Sequence, residues 1–176
     1  MKKMELVFIP APAISHLVSH FDFAKQLLDR DDCFSVTIIV MRNPIYGNVV
    51  DYAESLVASD SRVRLRFFFL RPREVAQPQP SLPRSGLPLL IDCIESYKLD
   101  VKEFIINQVL LDSSISFAGL FVDMCTTSMI DVANELGLPS YTFCTTGAAC
   151  SLGFAIYVIT RHGRVEREFQ ASDTEI

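Results

Sequence analysis

"PAPAISHLVSHFDFAKQLL", residues 10–28, follows a short apolar run and continues as an amphipathic helix. Prolines and alanines at its start predict a tight turn between that run and the helix. A dinucleotide-binding fold normally has glycines in this turn, whereas here the turn leads to a histidine, His16. The stretch therefore predicts a strand–turn–helix unit with a titratable side chain at the mouth of the turn. Its apolar residues recur at the 4-3-4 spacing of one helix face: Leu17, Phe21, Ala24 and Leu28.

The same alternation of short apolar runs and helical periodicity continues along the chain. Runs that are apolar on both faces are typical of parallel strands covered by helices. The pattern predicts an α/β fold, a doubly wound parallel sheet of Rossmann-like topology with strand order 3-2-1-4-5. The predicted strands are Glu5–Pro10, Ser35–Met41, Val63–Leu70, Phe117–Val122 and Ser140–Cys144.

Two further helices are predicted from their apolar faces. A long one has Leu90, Ile94, Tyr97, Val101 and Phe104 on one face. A shorter one carries Met129, Val132, Ala133 and Leu136 and is ended by Gly137 and Pro139.

The sequence predicts a single domain over residues 1–160. The segment Pro72–Pro88 holds five prolines and is predicted to be a loop. Residues 161–176 are polar and charged and are interpreted as a tail or as the start of the next connection.

Composition indicates a globular protein. The 176 residues are 49% hydrophobic and 21% charged, with a net charge of −5, which argues against nucleic acid or an anionic membrane as the main partner. Five cysteines form no metal-binding spacing, which favours reduced, buried thiols and a cytoplasmic location. Two apolar stretches, Met1–Ser15 and Leu136–Thr160, are interrupted by prolines or glycines, so no stable membrane insertion is expected.

The predicted topology brings two polar residues together. Ligands of doubly wound sheets bind beyond the carboxyl ends of the strands, where the strand order reverses between strands one and four. His16 follows strand one and Asp123 follows strand four, so their side chains are expected to meet there. A carboxylate on one ring nitrogen leaves the other nitrogen as a general base, and the helix N-terminus disfavours the charged imidazole. A purely structural alternative is that His16 caps a helix and Asp123 begins a turn.

Other chemistries fit the sequence less well. It has no GxGxxG, GxxxxGK[ST] or GxSxG motif. Cys125 lies close to Asp123, so a cysteine–histidine nucleophile is conceivable, but the apolar setting favours a buried thiol. His20, one helical turn after His16, could face the same cleft, but a solvent-facing or core position is favoured for it, and His162 is expected to be exposed.

Two segments carry a resemblance to a known family. "MELVFIPAPAISHLVSHFDFAKQLLDRD" and "FVDMCTTSMIDVANELGLPSYTFCTTGAA" resemble two N-terminal signatures of plant family-1 UDP-dependent glycosyltransferases, which have the GT-B fold. The resemblance covers the whole chain and implies that it is the N-terminal, acceptor-binding portion of such an enzyme.

The resemblance also implies roles for matching positions. His16 would deprotonate an acceptor hydroxyl, and Asp123 would hold and charge-balance it. Ser15, Cys125 and Thr145 would contact the acceptor. The acceptor would be a small lipophilic plant metabolite such as a flavonoid, another phenolic or a terpenoid. A UDP-sugar, with glucose expected as the sugar, would be the co-substrate, and neither a cofactor nor a metal is expected.

Two departures from the family qualify that expectation. The family usually has glycine at the position of Ser15 and often at that of Ala13, so a side chain there could crowd the site or shift His16. Family members are more than twice as long and carry a tryptophan-rich donor-binding box in their C-terminal half, whereas this chain has no tryptophan. The expectation is thus a truncated lobe, inactive alone. The alternatives are a non-catalytic metabolite-binding or regulatory relative and an unrelated Cys125–His16 hydrolase.

Overall fold

The computed structural model describes residues 3–43, 48–71, 86–149, 151–153 and 155–156. A single five-stranded sheet organises the first of two compact units, Met1–Thr145. Its strand order is β3-β2-β1-β4-β5 and every pair is parallel, which confirms the predicted topology. The strands agree with the predicted ones except at their ends: β1 Lys3–Ile9, β2 Phe34–Val40, β3 Leu65–Phe69, β4 Ile115–Asp123 and β5 Ser140–Phe143.

Helices connect these strands. A π-helical segment, Ile105–Leu110, extends α4, and a 3₁₀ turn, Thr127–Met129, precedes α5. One helix, α2, was not anticipated, because its buried residues Val49, Val50 and Ala53 are confined to its first turns and give no long periodic stripe. The helices are α1 Ile14–Arg30, α2 Val49–Ser59, α3 Leu87–Ser96, α4 Lys98–Phe104 and α5 Ile130–Leu136.

The prediction of one long helix through residues 90–104 is wrong in one respect. The helix is broken at Tyr97, whose backbone angles (φ −89°, ψ −4°) end α3 and begin α4. At this break the Tyr97 hydroxyl donates a hydrogen bond to the Arg42 carbonyl oxygen at 3.2 Å, which ties it to the segment that follows β2. The predicted proline-rich loop extends two residues too far, because α3 begins at Leu87 and Pro88 lies in its first turn. The rest of that loop, residues 72–85, lies outside the described residues.

The inner strands β1 and β2 are buried on both faces, as their near-continuous apolar sequences require, whereas the edge strands β3 and β5 are only partly buried. Alternate residues of β1 show the division: Leu6 and Phe8 pack against α1 and α2, whereas Val7 and Ile9 pack against α3, α4 and α5. All four residues of the predicted α1 face are buried: Leu17, Phe21, Ala24 and Leu28. These two cores fix the ends of β1 and β4 side by side.

The second compact unit is Thr146–Ile176, of which the described residues 148–149, 151–153 and 155–156 are helical. The predicted domain boundary at residue 160, the polar tail and His162 lie outside the described residues. Within the described part of the chain, no helix is long and apolar enough to cross a membrane.

Candidate active site

His16 and Asp123 meet at the carboxyl end of the sheet. β1 pairs with β4 up to Ile9 and Val122, so Asp123 is the first residue beyond that pairing. His16 lies in the first turn of α1, directly after the turn that leaves β1. Its Nδ1 is 2.8 Å from Asp123 Oδ2 across 107 positions of sequence. The predicted proximity of the two side chains is therefore found. The pairing of β1 with β4 and the start of α1 directly after β1 together bring them to the same place.

Two buried side chains hold the turn that delivers His16. The Thr126 hydroxyl donates to the Ile9 carbonyl oxygen at 2.8 Å, and Asn43 Nδ2 donates to the Pro12 carbonyl oxygen at 2.9 Å. Asn43 and Thr126 are both completely buried. These bonds satisfy carbonyl groups that a strand-to-helix turn would otherwise leave unpaired. Sequence reasoning missed both residues; their only signal was their position just after predicted strands.

Asp123 is held as a carboxylate by the groups around it. Its side chain is fully buried, which by itself would raise the pKa. The hydrogen bond from His16, the one from the Cys125 backbone N–H to Oδ1 at 2.8 Å, and the nearby histidines outweigh burial. The net result is that the pKa of Asp123 is lowered, so it is ionised at neutral pH.

His16 shows the opposite shift. The hydrogen bond to Asp123 raises the pKa of His16, burial lowers it, and the charge of Asp123 raises it again, so the net direction is upward. The expectation that the helix N-terminus would favour the neutral imidazole is therefore outweighed by the carboxylate. With Nδ1–H donating to Asp123, the lone pair of the ring lies on Nε2. No hydrogen bond from Nε2 is found in the part of the chain that the structure describes, and the side chain is 24% exposed.

The pair should make a pH-dependent contribution to stability. Because the pKa of His16 is raised in the folded state, this contribution is present below its ordinary value of 6.5 and is lost as pH rises through the folded value. Because the pKa of Asp123 is lowered, the contribution is present above 3.8 and is lost as pH falls through the folded value. The free energies of unfolding of the wild type and His16→Ala in urea should therefore differ most between these values, and the difference should shrink at high pH to what the neutral Nδ1–H bond and packing contribute. A difference that grows above pH 8 would contradict the assignment.

The other predicted site residues surround the pair. Ser15 is exposed in the first turn of α1, and its presence does not prevent His16 from reaching Asp123. Thr145 Oγ1 lies 3.2 Å from His16 Nδ1, so it is a second acceptor for that N–H. Cys125 is partly exposed beside Asp123. Burial, followed by the charge of Asp123, raises the pKa of the Cys125 thiol, which disfavours the nucleophilic thiolate.

A metal ion fits this cluster poorly. Ligand atoms of His16, Asp123 and Cys125 lie within 4.8 Å of one another. Both carboxylate oxygens of Asp123, however, already accept hydrogen bonds. The raised pKa of Cys125 also keeps the thiol protonated, whereas metals bind the thiolate. We therefore derive no step through a metal at these residues.

A groove of about 260 Å³ lies between β3 and α4, away from the pair. Phe68, Phe104, Asp100 and Glu103 contribute to its lining, but neither His16 nor Asp123 does. It is therefore separate from the site at the carboxyl ends of β1 and β4.

Known proteins resemble this chain over nearly its whole length. UDP-glycosyltransferase 71K2 of Pyrus communis is 37% identical over 179 residues, which cover 99% of this chain and 36% of the relative. A putative UDP-glucose flavonoid 3-O-glucosyltransferase 3 of Fragaria ananassa is 38% identical over 182 residues, covering 99% and 37%. The crystal structure of Medicago truncatula UGT71G1 with UDP-glucose gives a TM-score of 0.74 at 32% identity, covering 99% of this chain and 35% of that one. The chain thus spans little more than a third of these proteins. No protein-family model matches it.

Proposed function

The chain belongs with plant UDP-glycosyltransferases of the GT-B fold, whose N-terminal portion it matches, and we propose that it forms the acceptor-binding lobe of such an enzyme. The lobe would present a hydroxyl of a small lipophilic metabolite to the anomeric carbon of a UDP-sugar. The observation that carries the proposal is the 2.8 Å contact between His16 Nδ1 and the buried Asp123 carboxylate. It leaves Nε2 as a base beside solvent.

The proposed chemistry needs a base because a hydroxyl is a weak nucleophile. His16 Nε2 takes the hydroxyl proton while the acceptor oxygen forms a bond to the anomeric carbon. The bond from that carbon to the departing UDP oxygen breaks, and UDP keeps the electron pair. Asp123 stabilises the imidazolium that forms and holds the ring with Nδ1 protonated. The raised pKa of His16 makes Nε2 a stronger proton acceptor.

Apolar side chains beside the pair support a lipophilic acceptor. Ile14 precedes His16 in the first turn of α1 and is partly exposed, and Met124 directly follows Asp123 and is 39% exposed. Exposed apolar atoms next to a charged pair suit a flat aromatic molecule that carries a hydroxyl. Because relatives are named as flavonoid glucosyltransferases, we propose a flavonoid as acceptor and glucose as the sugar.

The remaining parts of the proposal concern context. The donor would be bound by residues equivalent to the rest of the relatives' length, and these 176 residues alone would bind acceptor without turnover. The proposed location is the cytosol, which the unpaired thiols of Cys33, Cys93, Cys125 and Cys144 support.

Acceptor binding near the pair can be tested directly. A flavonol added to the isotope-labelled 176-residue chain should perturb the NMR signals of His16 and of the Cys125 amide. Met124→Asp should weaken the affinity by about tenfold or more, because a carboxylate would then face the aromatic acceptor and must be desolvated. The control is Leu99→Asp on α4, where an apolar side chain that is more exposed than Met124, 59% against 39%, lies away from the pair.

The outcome separates the candidate functions. Equal effects of Met124→Asp and Leu99→Asp would place the acceptor elsewhere and contradict the proposal. Binding at the pair, without transfer once a relative's C-terminal portion is joined to the chain, would favour a metabolite-binding or regulatory protein.

A further inference from the structure

A second histidine lies directly behind the pair. His20 is one helical turn after His16 on α1 and is completely buried. Its ring stands edge-on to Phe143, with centroids 4.7 Å apart, and to Phe8, with centroids 5.9 Å apart. The mechanism proposed above does not use this residue. A buried imidazole in an aromatic setting therefore requires an explanation of its own.

One nitrogen of His20 contacts both members of the pair. Nδ1 donates to the His16 carbonyl oxygen at 3.0 Å. The same atom lies 3.7 Å from Asp123 Oδ2, the oxygen that accepts from His16 Nδ1. The longer distance exceeds that of a hydrogen bond, but the positive end of the N–H dipole still lies beside the buried carboxylate. His20 thus contacts the backbone of His16, the proposed base, and lies near the negative charge of Asp123.

The other ring nitrogen of His20, Nε2, has no contact among the described residues that would offset its burial. Nε2 is buried and has no hydrogen-bond partner among the described residues. A buried polar atom left in this state costs free energy that a phenylalanine ring of similar size would not. The function of the imidazole must therefore come from Nδ1–H. Burial lowers the pKa of His20, so the ring is neutral at neutral pH and keeps its proton on Nδ1.

We propose that His20 is a positioning residue for the base: its Nδ1–H fixes the first turn of α1 through the His16 carbonyl and lies 3.7 Å from the Asp123 oxygen that accepts from the His16 ring, where its dipole stabilises the carboxylate charge. That His16 acts as a base rests on the proposed function. The contacts of His20 with His16 and Asp123 do not depend on that function. They make a His16–Asp123–His20 chain in which one carboxylate faces two imidazoles. His20 is not a catalytic residue, because it is sealed from substrate.

The groups around His20 determine how removal of its side-chain N–H should change the pKa of His16. The titratable groups that face it are His16 on its own helix and Asp123 from β4, whereas β1 and β5 contribute the rings of Phe8 and Phe143. Without the His20 N–H, the negative charge on Asp123 Oδ2 would be stabilised less and would depend more on protonated His16. The pKa of His16 should therefore rise by roughly half a unit.

Two substitutions of His20 distinguish positioning from packing. His20→Phe keeps the size of the ring and removes the N–H, whereas His20→Asn keeps a donor near the Nδ1 position and removes most of the ring. Ring resonances of the three histidines in the 176-residue chain are followed by NMR from pH 4 to 9. We expect His20→Phe to raise the pKa of His16 by about half a unit and His20→Asn to leave it near the wild-type value.

The results that would overturn the proposal are specific. A role in packing alone predicts the reverse order, with His20→Asn the more disturbing change and His20→Phe silent. If either variant does not fold, ring ¹⁵N shifts of wild-type His20 still decide: the Nδ1–H tautomer supports the proposal and the Nε2–H tautomer refutes it. Because these readouts do not involve sugar transfer, the proposed function can fail while the positioning role stands, or the reverse.

Discussion

Replacing His16 with alanine is expected to lower sugar transfer by about 10²–10⁴-fold while acceptor binding persists. The physical reason is that the acceptor hydroxyl must lose its proton as its oxygen attacks, and His16, whose Nδ1 is held by the buried Asp123 carboxylate, offers the lone pair of Nε2 on a side chain that is 24% exposed. Binding should survive, because the proposed contacts to a lipophilic acceptor come from apolar neighbours such as Met124, which is 39% exposed and stays unchanged in this variant.

The measurement requires a complete transfer system. The chain is joined to the C-terminal portion of a relative, and turnover of a flavonol is measured at saturating UDP-glucose. Asp123→Ala should cost less than His16→Ala, since the imidazole could still act without its orienting partner. Ser19→Ala is the matched control, because Ser19 lies on α1 and its hydroxyl donates to the Ser15 carbonyl oxygen, away from the His16 ring. Wild-type turnover by His16→Ala would show that His16 has only a structural role.

Removing the carboxylate of Glu5 is expected to have the largest effect on stability. Glu5 lies on the central strand β1 and is completely buried. The Thr37 hydroxyl donates to its Oε1 at 2.6 Å, the Ser35 hydroxyl donates to its Oε2, and Arg66 Nη2 lies 3.0 Å from the same oxygen. Glu5→Ala should lower the free energy of unfolding by about 3 kcal/mol, because two buried hydroxyls lose their acceptor and a cavity remains.

Urea unfolding of three variants tests the contribution of the hydrogen bonds around Glu5. Glu5→Gln keeps the size and one carbonyl acceptor, so it should cost clearly less than Glu5→Ala. Asp22→Ala removes an exposed carboxylate that pairs with Lys25, and such surface pairs contribute about 0–1 kcal/mol. Arg66 is half exposed, so water can replace its partner and its own share is small. A Glu5→Ala loss no larger than that of Asp22→Ala would show that Glu5 is not held as described.

Much of the fold could be read from the sequence. The alternation of short apolar runs with helical periodicity predicted the parallel strands and their order, and α1 buries the face that its spacing predicted. The proximity of His16 and Asp123 followed as well, because strand order fixes which strand ends are neighbours. Local patterns suffice for these features, since the sheet imposes one arrangement on segments that are apolar on both faces.

Tertiary structure alone decided how the polar side chains are used. Glu5 occurs in an apolar strand, and nothing near it in sequence indicates that Ser35 and Thr37 on β2 and Arg66 on β3 satisfy it. The bonds of Asn43 and Thr126 to the turn before His16, the contacts of His20 with His16 and Asp123, and the break at Tyr97 were equally invisible. Periodicity reports which face of an element is buried. Whether a buried polar atom finds a partner depends on distances of a few ångströms between segments far apart in the chain, and only packing sets those distances.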